Sequence, residues 1–220
     1  MTHSHTVLVL GATGLVGRAL VTLLLREPSV LSVVALVRRS AELPRDAKLR
    51  VATVDFDRLE QHADAFRVGQ IFCALGTTIR QAGTQEQFRR VDHDYPVAAA
   101  ELALRQGATH YLLVSALGAN SSSRVFYNRV KGDTERDISR MGYQSVTIAR
   151  PSLLVGPRAE PRLGERVGQF LGFLAPPSIR PISATDVAAA LTLSARASRP
   201  GVQILTSREM RGASVRLSNS

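Results

Sequence analysis

Short apolar runs alternate with stretches of helical spacing along most of the chain. The runs are rich in Val, Ile and Leu, which is typical of strands buried on both faces of a parallel sheet. The pattern predicts strands at residues 6–10, 30–37, 49–54, 70–74, 110–115, 145–149 and 202–206. It predicts helices at 17–26, 57–65, 84–106, 124–141, 164–174 and 183–197. Alternating strands and helices favour an α/β fold, a doubly wound parallel sheet with ligands at the carboxyl ends of its strands.

A glycine-rich turn follows the first predicted strand. It reads Gly11-Ala12-Thr13-Gly14-Leu15-Val16-Gly17. Gly11 allows a tight turn, Gly14 lets a pyrophosphate approach the backbone, and Gly17 lets the next helix pack on the strand. The N–H groups of that helix would then face the anion. A glycine turn with a purely structural role remains the alternative interpretation.

Lysine is rare in this chain, with two lysines against 26 arginines. One of them, Lys131, follows Tyr127 by four residues, so both side chains lie on one face of a predicted helix. A compact ammonium can reach both a phenol and a sugar hydroxyl, which the broad fork of arginine does poorly. A chance pair on an exposed helix is the alternative, because the motif is short.

Composition bounds the class of protein. A chain of 220 residues with 45% hydrophobic content fits one globular α/β domain, 1–220. Cys73 is the single cysteine, which fits a reducing cytoplasm, and we expect it to be a small buried strand residue rather than a nucleophile. We expect no secretory leader, and no membrane span at 7–25, because three glycines and Arg18 interrupt that apolar stretch.

The net charge of +10 raises the question of nucleic acid binding. The arginines are scattered and aromatic residues make up 5% of the chain, so we expect no nucleic acid partner. A basic surface that attracts an anionic cofactor or substrate is the preferred interpretation. We predict no metal site.

Arg38 and Arg39 follow the second predicted strand, where dinucleotide-binding folds distinguish the two ribose forms. An acidic residue there would bind a free 2′-hydroxyl, whereas two guanidiniums suit a 2′-phosphate. The pair therefore predicts that NADP(H) is preferred over NAD(H). Two solvated surface arginines are the alternative.

Two further strand ends carry candidate cofactor contacts. Asp55 can accept a hydrogen bond from the adenine amino group, or can be a helix N-cap. Leu75-Gly76-Thr77 would pass beside the ribose on the nicotinamide side, with a plain turn as the alternative.

Ser115, at the end of the fifth predicted strand, completes a set of three candidate catalytic residues. Ser115 would hydrogen-bond the substrate oxygen, Tyr127 would donate or remove its proton, and Lys131 would hold the nicotinamide ribose while lowering the pKa of the tyrosine. The hydride would come from the cofactor. Ser115 taken singly is more often a strand-end or capping serine, so its assignment depends on the tyrosine and glycine motifs.

Several motifs together resemble atypical or extended short-chain dehydrogenases/reductases. They are GATGLVG at 11–17, Ser115 with Tyr127-x-x-x-Lys131, ARP at 149–151 and ISATDVA at 182–188. LGTTIRQAG at 75–83, RVDHDY at 90–95 and YNRVKG at 127–132 resemble the small oxidoreductases related to the mammalian Tat-interacting protein. The resemblance implies a Rossmann fold that binds NADPH, with Pro151 and Leu153 beside the nicotinamide amide.

Two features depart from the family pattern. Many extended members have an asparagine where this chain has Asp92, which puts in doubt a proton relay through that position. About seventy residues follow Arg150, fewer than in the members that act on nucleotide-sugars. Within that tail, 156–182 can be a lid over the substrate, a surface helix packed on the domain, or a membrane-surface helix.

Three functions remain open from the sequence. The first is an NADP(H)-dependent oxidoreductase acting on a carbonyl or hydroxyl of a small molecule. The second is an NADPH-binding regulator or redox sensor without turnover, and the third is a sugar-nucleotide epimerase or dehydratase. The helices predicted at 84–106 and 124–141 can also form the interface of a homodimer.

Overall fold

The computed structural model describes residues 5–155 and 180–219. Its strands are β1 (His5–Leu10), β2 (Val30–Val37), β3 (Leu49–Thr53), β4 (Gln70–Cys73), β5 (His110–Val114), β6 (Ser145–Arg150), β7 (Leu154–Val155), β8 (Ile182–Ser183) and β9 (Gly201–Thr206). Its α-helices are α1 (Leu15–Arg26), α2 (Ile79–Ala82), α3 (Gln85–Arg89), α4 (Tyr95–Arg105), α5 (Phe126–Ser139), α6 (Ala184–Ala197), α7 (Ser207–Met210) and α8 (Ala213–Ser218). A 3-10 helix spans Phe56–Phe66, and a π-helical turn spans Arg90–Asp94.

Seven strands form one parallel sheet in the order β3-β2-β1-β4-β5-β6-β9. β7 and β8 pair with each other outside it. The chain runs outward from β1 to β3, then returns to β4 on the other side of β1. This reversal between β1 and β4 is the switch point at which doubly wound sheets bind ligands. The predicted doubly wound, Rossmann-like parallel sheet is confirmed.

The alternating side chains of the sheet build a hydrophobic core on each face. Val7 and Val9 of β1 point into one core, which α1 and α6 cover. Leu8 and Leu10 point into the other core, which α4 and the 3-10 helix cover. Since successive side chains of a strand point to opposite faces, a strand covered on both sides must be apolar along its whole length. This explains the continuous apolar runs in the sequence.

Every predicted strand is confirmed, and its observed ends differ from the predicted ones by at most one residue. The helix predicted at 57–65 is a 3-10 helix instead, with non-helical backbone angles at Arg58 and His62. The pattern did not predict α2, β7, β8, α7 or α8, which are too short to show a period. The helix predicted at 164–174 lies outside the described residues, as does the lid segment except for 180–182.

The helix predicted at 84–106 forms as α3 and α4, joined by the π-helical turn. Pro96 has no N–H to donate to the carbonyl four residues earlier, that of Asp92, and its ring would crowd that carbonyl. The helix instead widens into a π-helical turn, in which Tyr95 N donates to the carbonyl of Arg90, five residues earlier. Such turns are frequent at functional sites.

Among residues 5–155 and 180–219, no helix combines the length and the apolar character that a membrane crossing requires.

Candidate active site

The glycine turn lies at the switch point, against the end of β4. Gly11 has a φ of 78°, and a Cβ there would lie 2.4 Å from the carbonyl oxygen of Ala74. A Cβ at Gly17 would lie 2.0 Å from the carbonyl oxygen of Gly11. The fold therefore requires glycine at both positions. A Cβ at Gly14 would come no closer than 3.4 Å to that same oxygen, so packing alone does not require its bare backbone.

Gly14 also caps the N-terminus of α1, without a side-chain hydrogen bond. The side chain of Val16 is buried in the core and that of Leu15 packs against it, so neither reaches out of the turn. What these residues can offer a ligand is their backbone N–H groups, which carry the positive end of the helix dipole. Thr13 is exposed at the outer side of the turn.

Arg18 supports this turn, a role that the sequence analysis missed. Its Nε lies 3.1 Å from the carbonyl oxygen of Thr13, and its Nη1 lies 3.1 Å from that of Glu42. Arg18 thereby joins the glycine turn to the segment that follows β2. A cation in the first turn of a helix opposes the helix dipole, and this anomaly could have drawn attention to it.

Arg38 and Arg39 directly follow β2 and are exposed. Within the part of the chain that the structure describes, neither guanidinium has an ion-pair or hydrogen-bond partner, so both are available to a ligand. Asp55 has the alternative role considered above, because it caps the 3-10 helix and accepts a hydrogen bond from Asp57 N at 2.9 Å. Its adenine contact stays a prediction.

A buried ion pair forms the centre of the site. Lys131 Nζ lies 2.7 Å from Asp92 Oδ1, and the Asp92 side chain is 0% exposed. The second carboxylate oxygen accepts a hydrogen bond of 2.8 Å from Thr77 N. Gly76 lies across the pair, since a Cβ there would be 3.4 Å from Asp92 Oδ1 and 3.6 Å from Lys131 Nζ. The loop after β4 and the helix α5 thus meet at one carboxylate.

Lys131 is a charged residue in this setting. Burial by itself lowers its pKa, but the charge of Asp92, followed by Tyr127 and the hydrogen bond to Asp92, outweighs burial and raises the pKa above its ordinary value. The ammonium is therefore kept protonated at neutral pH. Tyr127 lies one turn before Lys131 on α5, so the two residues share one face of the helix.

Tyr127 is half-buried at the start of α5. Its ring packs against Phe88 with centroids 5.4 Å apart and a tilt of 45°, and Phe88 also contacts Phe126. Phe88 is itself fully buried, so it gives the phenol a fixed apolar support. A supported ring loses less conformational entropy when its hydroxyl engages a ligand.

Ser115 reaches the same edge of the sheet just after β5. Its backbone N–H donates to the carbonyl of Ala149 at 2.8 Å, which holds the residue in place. Its Oγ is buried and has no hydrogen-bond partner among the described residues. A buried hydroxyl without a partner costs free energy, so such an atom is expected where a ligand completes its bonding.

The segment after β6 borders this edge as well. Pro151 is buried and its carbonyl accepts a hydrogen bond from Leu117 N at 2.8 Å. Leu153 is 43% exposed, while its carbonyl accepts from Ile182 N at 2.9 Å and so joins the segment to β8. The predicted contacts of Pro151 and Leu153 with a nicotinamide amide stay predictions.

Cys73 is the last residue of β4 and is completely buried. Burial raises the pKa of its thiol, so the reactive thiolate is disfavoured. The expectation of a small buried strand residue is confirmed.

Exposed apolar side chains follow the same strand ends. Ile79 lies beyond β4, Leu117 and Val125 lie beyond β5, and Leu153 lies beyond β6, with 40–57% of each residue accessible. These four side chains, called the apolar rim below, follow the carboxyl ends of β4, β5 and β6, the edge of the sheet at which Ser115 lies. Exposed apolar residues beside a candidate site are available to contact the apolar part of a ligand.

A separate groove of about 410 Å³ lies between α5, β6 and β9, lined by residues such as Glu135, Arg150 and Ile204. None of the three candidate catalytic residues lines it. The candidate site therefore lies at the strand ends rather than in this groove.

Comparison with known proteins agrees with this geometry. Residues 11–196 match a family model described as NAD(P)H-binding. HTATIP2 of Rattus norvegicus is 36% identical over 176 residues, covering 78% of this chain and 72% of that protein. The mitochondrial protein FMP52 of Eremothecium gossypii is 37% identical over 171 residues, covering 76% of this chain and 75% of that protein.

Among solved structures, MoeE5 in complex with UDP-glucose and NAD has a TM-score of 0.70 at 20% identity, covering 97% of this chain and 82% of that chain. At this identity the likeness shows the fold. The family match and the two relatives carry the further conclusion, which confirms the resemblance of the sequence motifs. The chain belongs to the NAD(P)H-binding family of atypical short-chain dehydrogenases/reductases that includes HTATIP2 and FMP52.

Proposed function

We propose that this chain is an NADP(H)-dependent oxidoreductase that interconverts a carbonyl and a hydroxyl group of a small molecule. The observation that carries the proposal is the buried, unpartnered hydroxyl of Ser115 at the same sheet edge as Tyr127 and Lys131. This is the combination that a carbonyl oxygen needs, with one group to orient it, one to move a proton and one cation nearby.

Each candidate residue of the chain has a separate role in this reaction. Ser115 Oγ donates a hydrogen bond to the substrate oxygen, and the Tyr127 hydroxyl exchanges a proton with it. Lys131 binds the ribose next to the nicotinamide. The bare backbone of Gly14 and the N-terminus of α1 receive the pyrophosphate. When bound, the nicotinamide supplies or accepts the hydride.

The preference for NADP(H) rests on Arg38 and Arg39. Both guanidiniums are exposed after β2, which is the strand end that faces an adenine ribose in this fold class. Their forked donors match the oxygens of a 2′-phosphate. Changing both to Ala should weaken NADPH binding far more than NADH binding, measured by fluorescence titration. An unchanged ratio of the two affinities would rule out this assignment.

The apolar rim indicates the kind of substrate. Ile79, Leu117, Val125 and Leu153 would contact the part of the substrate beyond its carbonyl, so an aldehyde, ketone or quinone with an apolar body is favoured over a polar sugar. A panel of carbonyl compounds graded from polar to apolar tests this point. A kcat/KM that does not rise with the apolar character of the compound would contradict a preference for apolar substrates.

Tyr127→Phe tests the reaction itself. The variant should bind NADPH about as well as the wild type, since the lost hydroxyl lies at the substrate, and should lose turnover on every substrate found. Equal turnover by the two proteins would exclude the tyrosine as the proton donor. Tight NADPH binding by the wild type with no oxidation across a broad panel would favour an NADPH-binding regulator without turnover.

Location and assembly are also proposals. We propose a cytoplasmic protein, although FMP52 carries the word mitochondrial in its name, and fractionation of cells that produce the full chain decides between the two compartments. A homodimer through α4 and α5 would have to accommodate the ion pairs of Arg89 with Asp133 and of Arg136 with Asp137. Light scattering at low and high salt tests for such a charged interface.

A further inference from the structure

The carboxylate of Asp92 is buried in the π-helical turn that precedes α4. It is 0% exposed, 2.7 Å from Lys131 Nζ and 2.8 Å from Thr77 N. A full charge is costly to bury unless it is paired, so a chain that needed only a hydrogen-bonding group here would be better served by asparagine. The charge of Asp92 therefore needs a reason beyond holding the loop.

We infer that Asp92 is a positioning residue that fixes the positions of Lys131 and of the loop after β4. Its charge also raises the affinity of the site for the oxidised cofactor relative to the reduced one. This inference rests on the proposed function, because it concerns a nicotinamide bound beside Lys131.

The bias follows from charge balance. An oxidised nicotinamide ring carries a positive charge and a reduced ring carries none. Lys131 alone would repel the oxidised ring, whereas Lys131 paired with Asp92 forms a unit of zero net charge. Because the pair is buried, solvent screens it weakly, and the balance between its two charges is felt nearby.

The positioning follows from the contacts. The backbone of Asp92 is held by α5, since its carbonyl oxygen accepts a hydrogen bond of 2.8 Å from the Thr134 hydroxyl. Its carboxylate then sets the place of Lys131, one turn earlier on α5, and of Thr77 in the loop. Gly76 lies beside the pair, since a Cβ there would be 3.4 Å from Asp92 Oδ1 and 3.6 Å from Lys131 Nζ.

The first experiment compares the affinities for NADP+ and NADPH of the wild type and of Asp92→Asn, by calorimetric titration at neutral pH. The variant should bind NADP+ about fivefold to tenfold more weakly relative to NADPH, the size expected for one charge in a partly screened site. Damage to the fold would weaken both forms equally, since they share every ribose and phosphate contact. Asp94→Asn is the matched control, because Asp94 lies in the same turn with a side chain that is 52% exposed.

Lys131→Met tests the inference in the opposite direction. It can be measured even if the Asp92→Asn variant does not fold. Removing the positive charge should shift the ratio the other way, toward tighter relative binding of NADP+. A ratio unchanged in both variants would overturn the inference while leaving the proposed function standing. A wild type that binds neither cofactor would overturn both.

The scarcity of lysine supplies a second measurement. Selective ¹³Cε labelling of lysine gives signals from two residues only, Lys48 and Lys131, with Lys48 as the internal reference. The titratable groups that act on Lys131 are Asp92, Tyr127 and Cys73. The Lys131 signal should titrate at lower pH in Asp92→Asn than in the wild type, and at the wild-type pH in Asp94→Asn. Coincident titrations of wild type and Asp92→Asn would contradict the placement of the carboxylate.

Discussion

The hydroxyl of Thr134 lies 2.8 Å from the backbone oxygen of Asp92, and so joins α5 to the π-helical turn. Pro96 cannot donate to that oxygen, and a hydroxyl from the neighbouring helix takes the place of the missing N–H. The same hydroxyl lies 2.9 Å from the carbonyl oxygen of Val130 in its own helix. One side chain thus positions the turn that carries the partner of Lys131.

Thr134→Val should remove this link while preserving shape. The carbonyl of Asp92 would lose this hydrogen bond, at a cost of about 1–3 kcal/mol in the free energy of unfolding. Thr192→Val is the matched control, because the Thr192 hydroxyl is also buried but lies 3.0 Å from a carbonyl of its own helix, that of Ala188. Urea unfolding of both variants checks the difference, and equal losses would contradict the special role of Thr134.

The ion pair predicts a non-additive double-mutant cycle. Asp92→Asn and Lys131→Met should each destabilise the protein, by up to about 3–5 kcal/mol, because each leaves one charge buried without its partner. The double variant should be more stable than the less stable single variant, since no unpaired charge remains. Chemical unfolding of the four proteins measures the coupling. Simple addition of the two single losses would show that the pair is not an energetic unit.

The glycine turn predicts two different outcomes for the same substitution. Gly17→Ala should prevent proper packing of α1, because its Cβ would lie 2.0 Å from a backbone oxygen. Gly14→Ala should fold with a loss of about 1 kcal/mol or less, since its Cβ meets only an ordinary contact at 3.4 Å. If a pyrophosphate approaches Gly14, the alanine variant should bind NADPH at least tenfold more weakly. Thermal unfolding and NADPH titration separate the two effects, and unchanged affinity in Gly14→Ala would argue against that approach.

His110 predicts a loss of stability in acid. Burial lowers its pKa from 6.5 to about 4, and its Nε2 lies 2.9 Å from the Thr147 hydroxyl. Between those two pH values the unfolded chain binds a proton that the folded chain does not, so acid favours unfolding. The contribution is complete above pH 6.5 and is lost progressively as the pH falls toward 4, by at most about 3 kcal/mol.

His110→Gln should flatten this part of the stability curve, because glutamine does not titrate. Urea unfolding at intervals between pH 7.5 and 4 should therefore give curves for wild type and variant that converge as the pH falls. Parallel curves would mean that His110 binds its proton equally in both states.

The candidate site was predicted in part and completed by the structure. Local signals identified Tyr127 and Lys131, because a spacing of four residues on a helix needs no tertiary information. The pairing of Lys131 with Asp92 spans 39 residues and depends on how two helices pack. The same limit applies to Arg18, whose partners Thr13 and Glu42 meet only once the segment after β2 has folded back. For Asp55, both the adenine contact and the cap fitted the local sequence; the structure shows the cap, and the adenine contact stays a prediction.

The sequence by itself determined where the strands lie and that strands alternate with helices. A strand that will be buried on both faces appears as a run of consecutive apolar residues, which needs no tertiary information. It also predicted that the candidate site would lie at strand ends, because parallel strands bring their carboxyl ends to one edge. Only the tertiary structure decided which side chains face each other across that edge. Burial, partnership and charge balance arise between residues that are distant along the chain, and the buried pair of Asp92 and Lys131 exists only when α5 packs against the widened turn before α4.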